Sequence, residues 1–256
     1  MRLLMIGDVI GRPGRRALQS FLPALHSEYN VNFVIANGEN SASGLGITLS
    51  TARELIDLGV DVITTGNHVW ARKEIFPYLD DELPIIRPLN YPPTAPGRGF
   101  ISVGNVTVVN LIGRIFMKEA DCPFRTMDSF LEQRKTKNRI IVVDFHAEAT
   151  SEKMAMGRYL DGKVSAVLGT HTHVGTIDTF ILPNGTAYVT DVGMVGPINS
   201  VIGDNPDTVL NSFLTGMPHR LSVGDGRSSF SAVLVDIDEA TGKATNIKRI
   251  YREEPE

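Results

Sequence analysis

The stretch SAVLGTHTH, residues 165–173, joins a short apolar run to two histidines two positions apart. Ala166, Val167 and Leu168 stand between polar and glycine residues, with no alternation of apolar and polar side chains. A run this short and this apolar suits a strand buried on both faces. Four other stretches end in the same abrupt way: RLLMIGD (2–8), NFVIANGEN (32–40), DVITTGNH (61–68) and RIIVVDFHAE (139–148). Helical patterns separate them. Leu18, Phe21, Leu22 and Leu25 lie at helical spacing within Arg15–Tyr29. Thr51 and Glu54 fit a capping box ahead of Leu55, Ile56 and Leu58, with Gly59 as the stop. Met127–Arg134 and Glu152–Leu160 are weaker helical segments. Strands alternating with helices indicate a layered α/β fold.

Hairpins interrupt the alternation. Residues 100–111 turn at Gly104-Asn105, residues 179–190 at Pro183-Asn184-Gly185, and residues 229–251 near Thr241-Gly242. These antiparallel pairs make the sheets mixed. Two mixed sheets packed face to face, with helices outside, accommodate both patterns. Residues 87–100 are rich in Pro and Gly and form a long loop. Polar strand ends on both sides of that loop read as parts of one site, so residues 1–256 are expected to form one domain.

The chain has 256 residues, 42% hydrophobic and 21% charged, enough for one sizeable core. Its net charge of −4 and pI of about 5.9, with no basic block, argue against a nucleic-acid duplex as partner. Cys122 is the only cysteine, which excludes an intrachain disulfide and suits a reducing compartment. The segment MRLLMIGDVIGR lacks a signal-peptide core, and no run reaches the ~18 apolar residues of a membrane span. The expectation is a cytoplasmic protein without a membrane partner; composition leaves homo-oligomerisation open.

In open α/β sheets, ligands gather at the carboxyl ends of strands. Each of the five apolar runs delivers a metal-competent side chain there: Asp8; Glu39 and Asn40; Asn67 and His68; His146; His171 and His173. Four of the six histidines occupy these positions. Imidazole and carboxylate donors without thiolate suit Mn, Fe or Zn. The donors exceed what one ion takes, so two ions are expected, with Glu39 well placed as the bridging carboxylate. If extended, His171 and His173 point to the same side of the chain and could each serve a different ion.

In order, GD (7–8), GNH (66–68), His146 and GTHTH (169–173) resemble the motif series of calcineurin-like metallophosphoesterases. GDVIGRPGR (7–15), NGEN (37–40), TTGNHVW (64–70), HAEATSEK (146–153), GTHTHV (169–174) and TDVGMVGP (190–197) resemble the YmdB-like branch more closely, over almost the whole chain. The resemblance implies a four-layer α/β/β/α sandwich. It implies that Asp8, Glu39 and His173 hold one ion, and that Glu39, Asn67, His146 and His171 hold the second, with Asn40 as an additional ligand. It implies a phosphodiesterase in which a metal-bound hydroxide attacks phosphorus and His68 protonates the departing oxygen. A small phosphoester is the implied substrate, with 2′,3′-cyclic nucleotides the best single choice. The rivals are a phosphomonoesterase and a metal-bound regulatory protein without turnover. The branch departs from the wider superfamily at Ile10, Glu39 and Val69, where His, Asp and an acidic residue are usual.

Asp8 could merely cap a turn, Asn40 could be a turn residue, and His68 could be a surface histidine. Asp144, Glu148, Asp178 and Asp191 either orient imidazoles or are solvated loop residues. Arg12 is expected to be exposed, although it could contact phosphate. Trp70 and Phe116 are expected in the core rather than stacked on a base. Gly7, Gly11 and Gly14 match neither dinucleotide-binding nor P-loop patterns.

Overall fold

The computed structural model describes residues 1–80, 83–133 and 137–255. Strands are β1 (Arg2–Val9), β2 (Phe33–Asn37), β3 (Val62–Thr64), β4 (Phe100–Val103), β5 (Val106–Ile112), β6 (Ile140–His146), β7 (Ala166–Thr170), β8 (Phe180–Ile181), β9 (Ala187–Val189), β10 (Met194–Pro197), β11 (Ser228–Ile237) and β12 (Ala244–Glu253). Helices are α1 (Gly11–Tyr29), α2 (Leu49–Asp57), α3 (Phe76–Leu79), α4 (Pro123–Glu132), α5 (Thr150–Leu160) and α6 (Pro206–Thr215).

The strands form two six-stranded mixed sheets, in the orders β12-β11-β10-β1-β2-β3 and β4-β5-β6-β7-β9-β8. The three expected hairpins are the antiparallel pairs β4–β5, β8–β9 and β11–β12. Period-two alternation divides each apolar run between two faces. Leu3, Met5, Ile35 and Val62 meet Val108, Val142, Leu168 and Val189 of the opposing sheet in a central core. Leu4, Ile6, Val34 and Ala36 face outward against Leu18, Leu22 and Leu25 of α1. Val109, Val143, Phe145 and Val167 pack on Met127 and Phe130 of α4 and on Met156 and Leu160 of α5. The expected four layers follow directly: helix, sheet, sheet, helix.

Several local expectations are corrected. The first helix starts at Gly11 rather than Arg15; Pro13 is tolerated in its first turn because the N–H it lacks would have no helical partner there. The capping box lies at Thr48 and Thr51, not at Thr51 and Glu54. Thr48 is extended (φ −115°, ψ 164°), so the helix turns in at Leu49. The fourth helix spans Pro123–Glu132, and Arg134 lies outside the described residues. Strand β10 and helix α6 were not expected.

Backbone proximity explains why two glycines flank the functional end. A Cβ at Gly169 would lie 1.8 Å from the Thr190 carbonyl oxygen, and one at Gly66 would lie 2.2 Å from Cδ2 of the His146 ring. Gly169→Ala should therefore cost at least ~1–3 kcal/mol, the range for overpacking a filled interior. Urea denaturation checks this; an unchanged midpoint would contradict the close approach.

Candidate metal centre

Register brings the polar strand ends into two facing rows. In the first sheet, Asp8 pairs with Asn37, and Asn37 with Thr64. In the second, Ile112, His146 and Thr170 lie side by side. Glu39 and Asn40 follow β2, Asn67 and His68 follow β3, and His171 and His173 follow β7. All eight expected site residues thus lie at the carboxyl ends of parallel strands.

Their donor atoms converge in two groups. Around His146 Nε2 lie Asn67 Oδ1 at 2.9 Å, Glu39 Oε1 at 3.0 Å and His171 Nδ1 at 3.1 Å. The His146 and His171 rings meet edge to face, with centroids 4.7 Å apart. Glu39, His146 and His171 offer ligand atoms all within 4.8 Å of one another. In the second group, His173 Nε2 lies 3.6 Å from Asp8 Oδ1 and 3.2 Å from Asn40 Nδ2. Asp8 Oδ1 and Glu39 Oε1 are fully buried and accept no hydrogen bond. A carboxylate oxygen buried without a donor costs several kcal/mol unless a cation compensates it.

Hydrogen bonds on the far side of each imidazole decide which nitrogen faces inward. Thr170 Oγ1 donates to Asp144 Oδ1 at 2.6 Å, so toward His146 Nδ1, 2.9 Å away, it can only accept. Nδ1 carries the hydrogen and Nε2 presents its lone pair. His171 Nε2 lies 3.1 Å from Glu148 Oε2, which leaves Nδ1 to face inward. His173 Nδ1 donates to the Ile202 carbonyl at 2.6 Å, and Nε2 faces Asp8. Three imidazoles with their outer nitrogens held by acceptors and their inner ones turned toward the other donor groups form the arrangement of metal-ligating histidines. With two donor-free carboxylate oxygens and no thiolate nearby, this donor set fits a divalent cation.

The charges respond to one another. Burial alone would raise the Asp8 carboxyl, but His173 beside it holds it well below the usual range. Burial opposes protonation of His173, yet the Asp8 carboxylate lifts its pKa to about 9. His171 is pushed down to about 3 by burial and by the neighbouring His146. Burial raises Asp144 to about 6. A pocket that draws a proton onto an imidazole between buried carboxylates also draws a metal cation there.

His171 and His173 do not have the extended backbone that would turn them to the same side of the chain. Their φ angles are +103° and +65°, a conformation costing on the order of 1–3 kcal/mol per residue unless the surroundings impose it. The surroundings do. Asp8 Oδ2 accepts His171 N at 3.2 Å, and Asp191 Oδ2 accepts Thr172 N at 3.1 Å and Thr172 Oγ1 at 2.8 Å. Buried Lys153 pairs with Asp191 Oδ2 at 2.6 Å and donates to the Thr170 carbonyl at 2.8 Å. The turn sends one ring to each donor group. Lys153 was missed from sequence, although it lies in HAEATSEK; Thr170 was missed although it lies in GTHTH.

Asp144 orients His146 through Thr170, and Glu148 contacts His171 directly, as one of their two readings held. Asp191 holds the histidine turn, whereas Asp178 accepts Thr190 N at 3.2 Å. His68 sits at the rim, its side chain 37% exposed. Its backbone N donates to Glu39 Oε2 at 2.9 Å and its Nδ1 to Asn40 Oδ1 at 2.8 Å. Burial lowers its pKa. Trp70 packs on Phe76 and Tyr91 as expected. Phe116 does not enter the core: it is 88% exposed with φ +62°. Glu152 holds the loop backbone at Arg114 and Ile115, and Met117 is the residue packed inward.

Residues 4–250 match the family described as YmdB-like protein. The chain belongs to that family. A 2′,3′-cyclic-nucleotide 2′-phosphodiesterase of Bacillus subtilis (strain 168) is 46% identical over 254 residues, covering 98% of this chain and 96% of the relative. A Thermus thermophilus protein of known crystal structure superposes with a TM-score of 0.93 at 46% identity, covering 100% of both chains. A Mycoplasma pneumoniae protein described as a novel phosphatase gives a TM-score of 0.93 at 33% identity, covering 99% of this chain and 93% of that one. The names of the Bacillus and Mycoplasma proteins denote phosphoric ester hydrolases, the enzyme class implied by the motifs.

In this YmdB-like chain the Thr170 hydroxyl controls His146 at one remove. Thr170→Val, nearly the same in shape, should lower metal affinity about 10–100-fold while the chain stays folded. Titration of the metal-free protein with Mn measures it. Unchanged affinity would show that the Thr170 hydroxyl does not govern that nitrogen.

Proposed function

We propose that this chain is a metal-dependent phosphodiesterase acting on 2′,3′-cyclic nucleotides, with two ions per chain. The observation that carries this reading is the pair of buried, donor-free carboxylate oxygens faced by three oriented imidazoles, with His68 at the rim. The name of the Bacillus relative supports the substrate class. Asp8, Glu39 and His173 would hold one ion; Glu39, Asn67, His146 and His171 would hold the other; Asn40 would add its amide oxygen, which also accepts from His68 Nδ1. Fe or Mn suits the mixture of nitrogen and oxygen donors, with Zn the alternative. When bound, the ions offset charge on the phosphate oxygens and lower the pKa of a water. The single cysteine suits a cytoplasmic enzyme.

The remaining chemistry belongs to the chain. Asn40 Oδ1 accepts from His68 Nδ1, which leaves Nε2 for the departing oxygen; the ring gives that proton from its imidazolium form, which the nearby Glu39 carboxylate favours, and is left neutral with its hydrogen on Nδ1. The bond from His68 N to Glu39 fixes the acid relative to the centre. Arginine support for a second phosphate charge is sparse. Arg12 is exposed, Arg87 donates to the carbonyls of Pro88 and Ala95, and Arg98 donates to Leu83 O, which leaves exposed Arg114, two residues after Ile112 at the end of β5, as the arginine nearest the second row of strand ends in sequence. A monoester, with nearly two charges, gains most from such groups. A cyclic diester carries one charge and keeps its leaving hydroxyl tethered within reach of one acid.

Under a single metal condition, kcat/KM should fall in the order 2′,3′-cyclic AMP, 3′,5′-cyclic AMP, AMP. A preference for AMP would replace this reading with a phosphomonoesterase, and no turnover of any phosphoester would favour a regulatory protein. His68→Ala should keep two ions by elemental analysis and lose ~10²–10⁴-fold in kcat. That loss should shrink for leaving groups that need no proton. Loss of metal together with activity would place His68 among the ligands instead.

A further inference from the structure

Between β10 and β11 the chain leaves the sheet and forms a small lobe around α6. A neck anchors the lobe: Asp204 bridges to Val201 and Val223, Asn205 N donates to Ser222 O at 2.7 Å, and Gly224 N donates to Gly203 O at 2.9 Å. Local signals form the helix well. Asn205 caps it by accepting Thr208 N, Pro206 opens it, and Gly216 closes it in a left-handed conformation. Yet Val209 is its only buried residue. A helix of ten residues gains most of its stability from packing an apolar face. In α6 and the turn that follows it, that face points outward.

Leu210, Phe213, Leu214, Met217 and Leu221 are 49–84% exposed. The first four fall at helical spacing of three and four positions. At ~150–250 Å² for a large side chain, their exposed fractions leave roughly 500–800 Å² facing water. A monomer's largest apolar patch is about 300–600 Å², and a stable interface buries about 800 Å² per partner. The patch therefore nearly matches one side of a standard interface.

We propose that this face packs against the same face of a second copy, making the protein a homodimer through α6. The charge pattern selects that occupant. From Pro206 to Leu221 the Asp, Glu, Lys and Arg residues are Asp207 at one end and Arg220 at the other. A nearly neutral stripe pairs with itself without like-charge repulsion, as a two-fold interface requires. Arg12 and Arg16 lie beside Arg220 and Leu221 at one edge, where Arg16 pairs with Glu254; the apolar stripe from Leu210 to Met217 itself carries no Lys or Arg that would attract an anionic membrane. The neck holds the helix in place beforehand, which reduces the ordering cost of association.

Sedimentation velocity of the full chain should give twice the 28.0 kDa chain mass at micromolar concentration. The double variant Phe213→Asp, Leu214→Asp should sediment at 28.0 kDa, with its urea midpoint and near-ultraviolet circular dichroism retained. A milder pair, Leu214→Gln and Met217→Gln, should weaken association on the order of 30-fold, the loss of one hot-spot residue. A wild-type monomer at every soluble concentration would overturn the proposal, and so would a dimer unaffected by both variants. A monomer that floats with phosphatidylcholine vesicles through these side chains would assign the face to lipid instead.

Discussion

Asp8 Oδ1 and Glu39 Oε1 lie buried without a hydrogen-bond donor, and the surrounding structure is arranged around that negative charge. Two carboxylates this close raise one another's pKa, and burial adds to the effect. Imidazoles counter it: His173 beside Asp8, and His146 beside Glu39. Each is held by an acceptor on its other nitrogen, so its inward nitrogen is aimed at the carboxylates before any cation arrives to take the place of its proton. Preorganisation of this kind moves the cost of ordering the ligands from the binding step to folding.

The cost of folding is visible around the histidine turn. Two residues with positive φ are held by Asp8, by Asp191 and by the Ile202 carbonyl, groups distant from them in sequence. Lys153, paired with Asp191, supplies the buried positive charge that compensates that carboxylate and holds it in position. Removing one partner of a buried pair leaves the other uncompensated, typically at ~3–5 kcal/mol. Stability and site geometry are therefore linked at Asp191, although it lies outside the proposed ligand set.

Much of this was legible in the chain because it rests on local periodicity. Continuous apolar runs ending in polar residues identified β1, β2, β3, β6 and β7, and the same polar residues supplied all eight expected site positions. Strand β10 escaped because MVGP, with its glycine and proline, does not look like a strand; it forms because Met194 and Val195 pair with Asp8 and Val9 of β1, and Gly196 and Pro197 with Ser229 and Ser228 of β11. Helix α6 was legible in its Asn205 cap, its Pro206 start, its Gly216 stop and the spacing of Leu210, Phe213 and Leu214, and was missed; only the structure shows that this apolar face points outward. Phe116 was misplaced because composition ranks aromatics as buried, while Glu152 fixes the loop so that Met117 turns inward.

The sequence by itself determined the layered α/β class, the mixed pairing and the kinds of atoms offered at each strand end. Those follow from side-chain alternation and turn chemistry, which act over a few residues. Tertiary structure decided which nitrogen of each imidazole faces inward, which carboxylate oxygens lack donors, and how His171 and His173 part. The physical reason is that each of these depends on a partner brought close by strand register: Thr170 with Asp144 behind His146, Glu148 beside His171, and Ile202 behind His173.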